Sequence, residues 1–156
     1  MAHRAYVAVV GPGDASKTEL AAAEAVGRGL AQAGAIVVCG GLGGVMEAAA
    51  RGATEAGGTA VGILPGSDRA AGNRWLTVAL PSGLGELRNG LVVRSADAVI
   101  AVGGAYGTLS EIALALKTGV PVIGIHTWEI EGIEKVDSSG EAVAKSLAAG
   151  ASRTRA

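Results

Sequence analysis

Six apolar runs of strand length recur along the chain, and alanine-rich segments of helix length separate them. Each run is apolar at nearly every position, which is typical of strands covered by helices on both faces. The pattern predicts an α/β protein with a single Rossmann-like, doubly wound parallel sheet flanked by helices. The predicted strands are residues 6–10, 36–39, 60–64, 76–79, 98–102 and 120–125. The predicted helices are residues 16–33, 43–56, 82–95, 108–118 and 139–149.

Length and composition fit one compact domain. The chain has 156 residues, of which 49% are hydrophobic and 17% charged, so residues 1–151 are expected to form the domain and residues 152–156 a flexible tail. A net charge of −1 and an aromatic content of 3% argue against a nucleic-acid partner. The longest uncharged stretch, residues 29–46, contains six glycines and does not resemble a membrane span. With no signal-peptide pattern, the protein is expected to be cytoplasmic.

Residue types that bind metals or form disulfides are scarce. Cys39 is the only cysteine, which excludes an internal disulfide, and its place in an apolar run predicts a core position. His3 and His126 have no carboxylate or second imidazole at metal-ligand spacing, so no metal site is predicted. The acidic residues Glu129, Glu131 and Glu134 are interpreted as a solvated face or loop.

The first glycine turn, GPGDASKT at residues 11–18, looks like a Walker A loop but departs from it at two positions. Ser16 stands where that loop needs glycine, and Pro12 lacks an N–H group. The second strand ends in Cys39 and offers no acid for a ribose, which argues against NAD binding. Ser16 and Glu19 instead have the spacing of a helix capping box.

The second glycine turn follows the second strand. It carries Gly41, Gly43 and Gly44, and glycine there permits close approach of the backbone to a ligand. The same residues also permit close packing of a helix on a strand, so both interpretations stay open. We include the three glycines among the predicted binding residues because ligands of such sheets lie beyond the carboxyl ends of the strands.

The stretch from Arg88 to Glu111 carries the strongest functional signal. It runs from a helix with one arginine, through an apolar strand, into a glycine-rich turn that opens another helix. Unpaired N–H groups and the helix dipole at such a turn favour a phosphate group. The alternative is that Thr108 and Glu111 form a capping box. The predicted phosphate-binding turn consists of Gly103, Gly104, Ala105, Tyr106, Gly107 and Thr108.

This stretch resembles the signature of the LOG-type proteins, which are cytokinin-activating nucleoside 5′-monophosphate phosphoribohydrolases and relatives once mislabelled lysine decarboxylases. Their pattern is an Arg-Lys pair on a helix, an Ala-Asp strand entry and a Pro-Gly-Gly-x-Gly-Thr-x-x-Glu turn. Here Asn89 holds the place of the lysine, Gly103 that of the proline, and Ala105 lies within the glycine run. These features are more similar to a bacterial subgroup related to molybdenum-cofactor carrier proteins.

The resemblance implies two classes of function that the sequence leaves open. In a phosphoribohydrolase, Arg88 and Glu111 would be catalytic and would cleave the N-glycosidic bond of a nucleotide whose phosphate the turn binds, with Asn89 beside it. In a carrier, the same residues would bind the phosphate of a nucleotide or molybdopterin-type ligand without chemistry; a nucleotide sensor is a third reading. No further cofactor and no lysine decarboxylase activity are expected. Because relatives in this family are dimers or larger, the protein is expected to self-associate as a dimer or tetramer.

Overall fold

The computed structural model describes residues 3–154, and its centre is a parallel sheet of seven strands. The strands are β1 (Tyr6–Val10), β2 (Ile36–Cys39), β3 (Thr59–Leu64), β4 (Val78–Pro81), β5 (Ala98–Val102), β6 (Val122–Ile125) and β7 (Ile133–Lys135). Their spatial order is β4-β3-β2-β1-β5-β6-β7, and every pair is parallel. The predicted doubly wound α/β fold is therefore confirmed.

Five helices cover the two faces of the sheet. They are α1 (Lys17–Gln32), α2 (Val45–Glu55), α3 (Arg88–Arg94), α4 (Tyr106–Lys117) and α5 (Ser139–Thr154). Side chains of β1 alternate between the faces, so that Val7 and Val9 pack with α1, α2 and α5, while Ala8 and Val10 pack with α3 and α4. Because both faces are covered, the central strands are buried at every position, which accounts for their unbroken apolarity.

Two elements differ from the sequence prediction near the fourth strand. The helix predicted over residues 82–95 begins only at Arg88, after a 3-10 turn at Gly85–Leu87. Gly83 and Gly85 have φ angles of 67° and 58°, which an α-helix does not allow. The strand predicted at residues 76–79 is displaced to Val78–Pro81, at an edge of the sheet where a proline costs no ladder hydrogen bond.

The C-terminal part also differs from the prediction. The acidic segment, which the sequence analysis interpreted as a solvated face or loop, contains the short edge strand β7. Lys135 of β7 forms an ion pair with Glu129, and Lys145 of α5 forms one with Glu134. Helix α5 continues to Thr154 instead of ending at residue 149, so its last turn includes the start of the predicted tail. Residues 155 and 156 of that tail lie outside the described residues.

The order of the strands fixes where a ligand can lie. The chain first adds β2, β3 and β4 on one side of β1, and then crosses to β5 on its other side. The turns after β1 and β5 therefore leave the sheet in opposite directions and open a crevice between them. No helix within residues 3–154 has both the length and the apolarity needed to cross a bilayer.

Candidate functional site

A crevice of about 780 Å³ opens at the carboxyl ends of β1 and β5. Four segments line it: the turn after β1, the start of α2, the start of α3 with the 3-10 turn before it, and residues 105–114 at the start of α4. Its lining residues are Gly11, Pro12, Gly13, Met46, Glu86, Leu87, Arg88, Asn89, Gly90, Ala105, Tyr106, Gly107, Thr108, Ser110, Glu111 and Leu114. The structure thus brings together Arg88, Asn89, Glu111 and residues 105–108, as the sequence analysis expected.

The first turn of α4 presents free donors to this crevice. The N-cap residue is Ala105, and no side chain caps the helix. The N–H groups of Tyr106, Gly107 and Thr108 therefore lack an intrahelical partner, as the first N–H groups of any α-helix do. Because the positive end of the helix dipole adds to these donors, the position favours an anion.

The alternative interpretation of Thr108 and Glu111 as a capping box does not hold. Helix α4 begins at Tyr106, so Thr108 already lies inside the helix and cannot act as its N-cap. Thr108 is only 2% exposed, and its Oγ1 has no hydrogen-bond partner. A buried hydroxyl without a partner is unfavourable, and a ligand oxygen could satisfy it.

Arg88 is a buried cation without an ion pair in the described part of the chain. Its side chain is 8% exposed at the first position of α3, and its Nε has no hydrogen-bond partner. The guanidinium donates through Nη2 to the carbonyl of Gly40 at 3.4 Å and through Nη1 to Oδ1 of Asn89. A buried charge left unpaired destabilises a fold. An anionic ligand would remove that penalty.

Neighbouring residues hold the Arg88 guanidinium in place. A Cβ at Gly40 would lie 2.8 Å from Nη2, so a side chain there would displace the guanidinium from its present position. Asn89 connects the arginine to α4, because its Nδ2 donates to Oγ of Ser110 at 3.4 Å, and Ser110 donates to the carbonyl of Gly107 at 2.7 Å. The orientation of Arg88 is thereby linked to the first turn of α4.

Glu111 lies one helical turn after Thr108 in α4 and lines the same crevice. Burial raises the pKa of its carboxyl group from 4.5 to about 7, although the positive charge of Arg88 lowers it in part. A carboxyl group with a pKa near 7 can donate or accept a proton at neutral pH. Arg88 and Glu111 together therefore combine a fixed positive charge with a carboxyl group able to exchange protons.

Five predicted glycines lie away from the crevice lining. Gly41 packs against Leu64 and Gly44 against the Pro12 carbonyl, with φ angles of 80° and 65°. A Cβ at Gly43 would meet only Oε2 of Glu47, at an ordinary contact distance of 3.9 Å. Gly104 packs against Trp128. Gly103, whose φ is 71°, donates its N–H to the carbonyl of Ile125 at 3.0 Å.

The Gly103 amide is therefore already used in a hydrogen bond to β6 and is not available to a ligand. The second glycine turn follows β2, one strand away from the β1–β5 junction where the crevice opens. Binding roles for Gly41, Gly43 and Gly44 stay predictions.

Several crevice residues were not in the predicted set. Met46, Glu86 and Ser110 line it, and Gly40 accommodates the arginine. Gly11 and Pro12 also line the crevice. They lie in the turn that the sequence analysis interpreted as a capped helix start. Gly40 had a detectable signal, since it is the first glycine after a buried strand. The contribution of Met46 depends on how α2 is oriented, and no local pattern contains that information.

The remaining chemistry-bearing residues take no part in the crevice lining. Cys39 is buried, and burial raises the pKa of its thiol to about 11, as expected for a core cysteine. Within residues 3–154, no group of three or more His, Cys, Asp or Glu side chains is arranged to hold a metal ion.

The chain is similar in sequence and fold to several known proteins. The model of the SLOG cluster4 family matches residues 4–151. An uncharacterised protein of Archaeoglobus fulgidus is 41% identical over 138 residues, which are 88% of this chain and 91% of that protein. The molybdenum cofactor binding protein of the phototrophic bacterium Rippkaea orientalis is 33% identical with a TM-score of 0.88, covering 95% of this chain and 98% of that one. The molybdenum cofactor carrier protein of Chlamydomonas reinhardtii is 30% identical with a TM-score of 0.86, covering 96% and 99%.

Proposed function

The chain belongs to the SLOG cluster4 family, and on that premise we propose that it binds and carries a phosphorylated small molecule of the molybdenum-cofactor class. The phosphate group would lie between Arg88 and the first turn of α4, with the pterin in the rest of the crevice. A volume of about 780 Å³ is within the range of small-molecule sites. The proteins of similar structure whose names state this ligand support its chemical class.

The observation that carries the proposal is the buried Arg88, which lines the crevice, has no ion pair in the described structure and has an Nε without a hydrogen-bond partner there. A guanidinium binds phosphate through two parallel hydrogen bonds and stays charged at every physiological pH. Thr108 Oγ1 and the N–H groups of α4 would supply further donors to the same phosphate. A carrier needs this binding and no bond cleavage.

Retention of molybdenum cofactor tests the carrier function. Cofactor released anaerobically from a molybdoenzyme would be mixed with the protein, and molybdenum that coelutes with it in size exclusion would be measured by mass spectrometry. We expect stoichiometric retention by the wild type and at least about 100-fold weaker retention by Arg88→Met, because a buried charge-assisted pair is lost. Arg94→Met is the matched control, since Arg94 lies exposed at the other end of α3. No retention by the wild type would reject the proposal.

Glu111 supports a second candidate, the LOG-type hydrolysis of a nucleoside 5′-monophosphate. Cleavage of the bond between base and ribose builds positive charge on the sugar, which a carboxylate stabilises while it orients water. The raised pKa of Glu111, about 7, suits a group that exchanges a proton at neutral pH. Arg88 would orient that carboxylate and the sugar hydroxyls.

Chromatographic analysis of AMP incubations distinguishes the two candidates. Hydrolysis predicts adenine and ribose 5-phosphate from AMP with the wild type, and a loss of at least about 100-fold with Glu111→Gln. Calorimetry on the same samples would show whether AMP binds. AMP that binds and is recovered unchanged would reject the hydrolase and leave the carrier.

A further inference from the structure

Trp128 contacts the glycine-rich turn 103–108 from outside the crevice. The chain reverses after β6 at His126, whose φ of 49° is the only positive value of a non-glycine residue within residues 3–154. This reversal brings the indole against the start of α4, where Nε1 donates to the carbonyl of Ala105 at 3.3 Å. Trp128 does not belong to the crevice lining, so its contact is with the turn.

Gly104 leaves room in the turn for the Trp128 indole. A Cβ at Gly104 would lie 3.1 Å from Nε1 and 3.2 Å from Cδ1 of Trp128, so glycine lets the indole approach. Gly104 does not have a positive φ, and its backbone conformation alone does not demand glycine. The ring of Tyr106 stacks on the indole at 6.3 Å between centroids and 30° between planes. The indole therefore touches three successive residues of the turn.

The hydrogen bond to Ala105 fixes an N–H group as well as a carbonyl. The Ala105 carbonyl and the Tyr106 N–H belong to the same peptide, and because that peptide is trans the two groups point in opposite directions. The carbonyl accepts from Leu109 N–H at 2.9 Å and from Trp128. The Tyr106 N–H is consequently directed away from the helix. The two hydrogen bonds to the Ala105 carbonyl of the same peptide make this N–H a stronger donor.

We propose that Trp128 is a positioning residue that holds the Ala105–Tyr106 peptide with its N–H facing the bound phosphate. The inference rests on the proposed function, because it presumes that the turn binds a phosphate group. The indole would not touch the ligand. It keeps a glycine-rich segment, which would otherwise lose much conformational freedom on binding, in the conformation that binds.

The two tryptophans of the chain provide a matched pair of variants. Trp128→Phe keeps an aromatic ring over Gly104 and removes the N–H donor, whereas Trp75→Phe changes an indole that lies between Arg51 and Arg74. Affinity for inorganic phosphate and for AMP would be measured by calorimetry, and folding by thermal unfolding. We expect about tenfold weaker binding of both probes by Trp128→Phe and unchanged binding by Trp75→Phe.

A second variant separates positioning from general stability. Gly104→Ala should displace the indole and weaken binding to a similar extent, yet add little in the Trp128→Phe background. If Trp128→Phe does not fold, Gly104→Ala decides in its place. In Trp75→Phe protein, the emission of Trp128 should change during a phosphate titration and saturate with the calorimetric isotherm.

The outcomes distinguish this inference from the proposed function. Weaker binding by Trp128→Phe at an unchanged unfolding temperature supports the positioning role. Wild-type affinity in a folded Trp128→Phe, or additive effects of the two substitutions, overturns it and leaves the proposed function standing. Absence of any binding of phosphate or AMP by the wild type, together with no retention of molybdenum cofactor, overturns both.

Discussion

Helices α1 and α4 begin in opposite ways, although both follow glycine turns at the crevice edge of the sheet. At α1, Ser16 Oγ accepts from Glu19 N–H at 3.2 Å, and Glu19 Oε2 accepts from Ser16 N–H at 2.8 Å. At α4 the N-cap is Ala105, which has no side chain that could accept. A helix start whose donors are satisfied internally is complete by itself, whereas one left uncapped is available to a ligand.

The comparison extends to the two glutamates that follow these starts at the same spacing from Ser16 and Thr108. Glu19 closes the capping box of α1, while Glu111 lies half-buried in the lining of the crevice. The motif alone does not distinguish them. What separates them is the position of the first helical residue, which makes Ser16 an N-cap and places Thr108 in the third position of α4.

The largest effect is expected from giving α4 the cap that it lacks. In Ala105→Asp, the new carboxylate would accept from the first-turn N–H groups and repel an anion at the same place. The extended backbone of Ala105, with φ of −134° and ψ of 175°, already suits an N-cap. We expect about 100-fold weaker binding of AMP and about 1 kcal/mol of added stability, measured by calorimetry and urea unfolding. Unchanged affinity would mean that the free donors of α4 do not bind the ligand.

A somewhat smaller effect is expected from Glu111→Gln, and it depends on pH. Because the pKa is raised from 4.5 to about 7, the folded protein holds this proton more tightly than the unfolded chain does. The resulting stabilisation is complete below pH 4.5 and is lost as the pH rises to about 7. Glu111→Gln should therefore be more stable than the wild type by about 3 kcal/mol at pH 8 and nearly equal to it at pH 4.5. A difference in unfolding free energy that stays constant between these pH values would contradict the assigned burial.

The smallest effect is expected at the capped start. Ser16→Ala removes the acceptor for the Glu19 N–H, so the free energy of unfolding should fall by about 1 kcal/mol and the melting temperature by about 3 °C. Affinity for AMP should not change, because the lost hydrogen bond lies within the protein. An equal loss of affinity in this variant and in Ala105→Asp would remove the distinction between the two helix starts.

The central fold was predictable because its signals are local. Strands β1, β2 and β5 have the predicted bounds, since buried parallel strands are apolar at every position. The edge strands β4 and β7 were displaced or missed, because strands with one open edge and partly exposed side chains lose that signal. The start of α3 depended on the positive φ angles of Gly83 and Gly85, and a glycine's φ angle cannot be read from its residue type.

The crevice residues were predictable only where their signals are also local in the sequence. Arg88, Glu111 and residues 105–108 lie within one continuous segment, so their spacing was available from the sequence. Trp128 reaches the turn from the loop after β6, and Met46 reaches the crevice from α2; only the packed fold brings them there. Trp128 did leave one trace, as one of two tryptophans in a chain with 3% aromatic residues.

The most direct test of phosphate binding at the uncapped start of α4 is an amide NMR titration of the wild-type protein with AMP. The account predicts saturable downfield shifts of the Tyr106, Gly107 and Thr108 amide protons, with the Arg88 Nε–H proton shifting alongside them. The amides of α1 from Lys17 to Glu19 serve as the internal reference and should not move. Saturable shifts confined to other residues, with those of 106–108 unmoved, would contradict the claim.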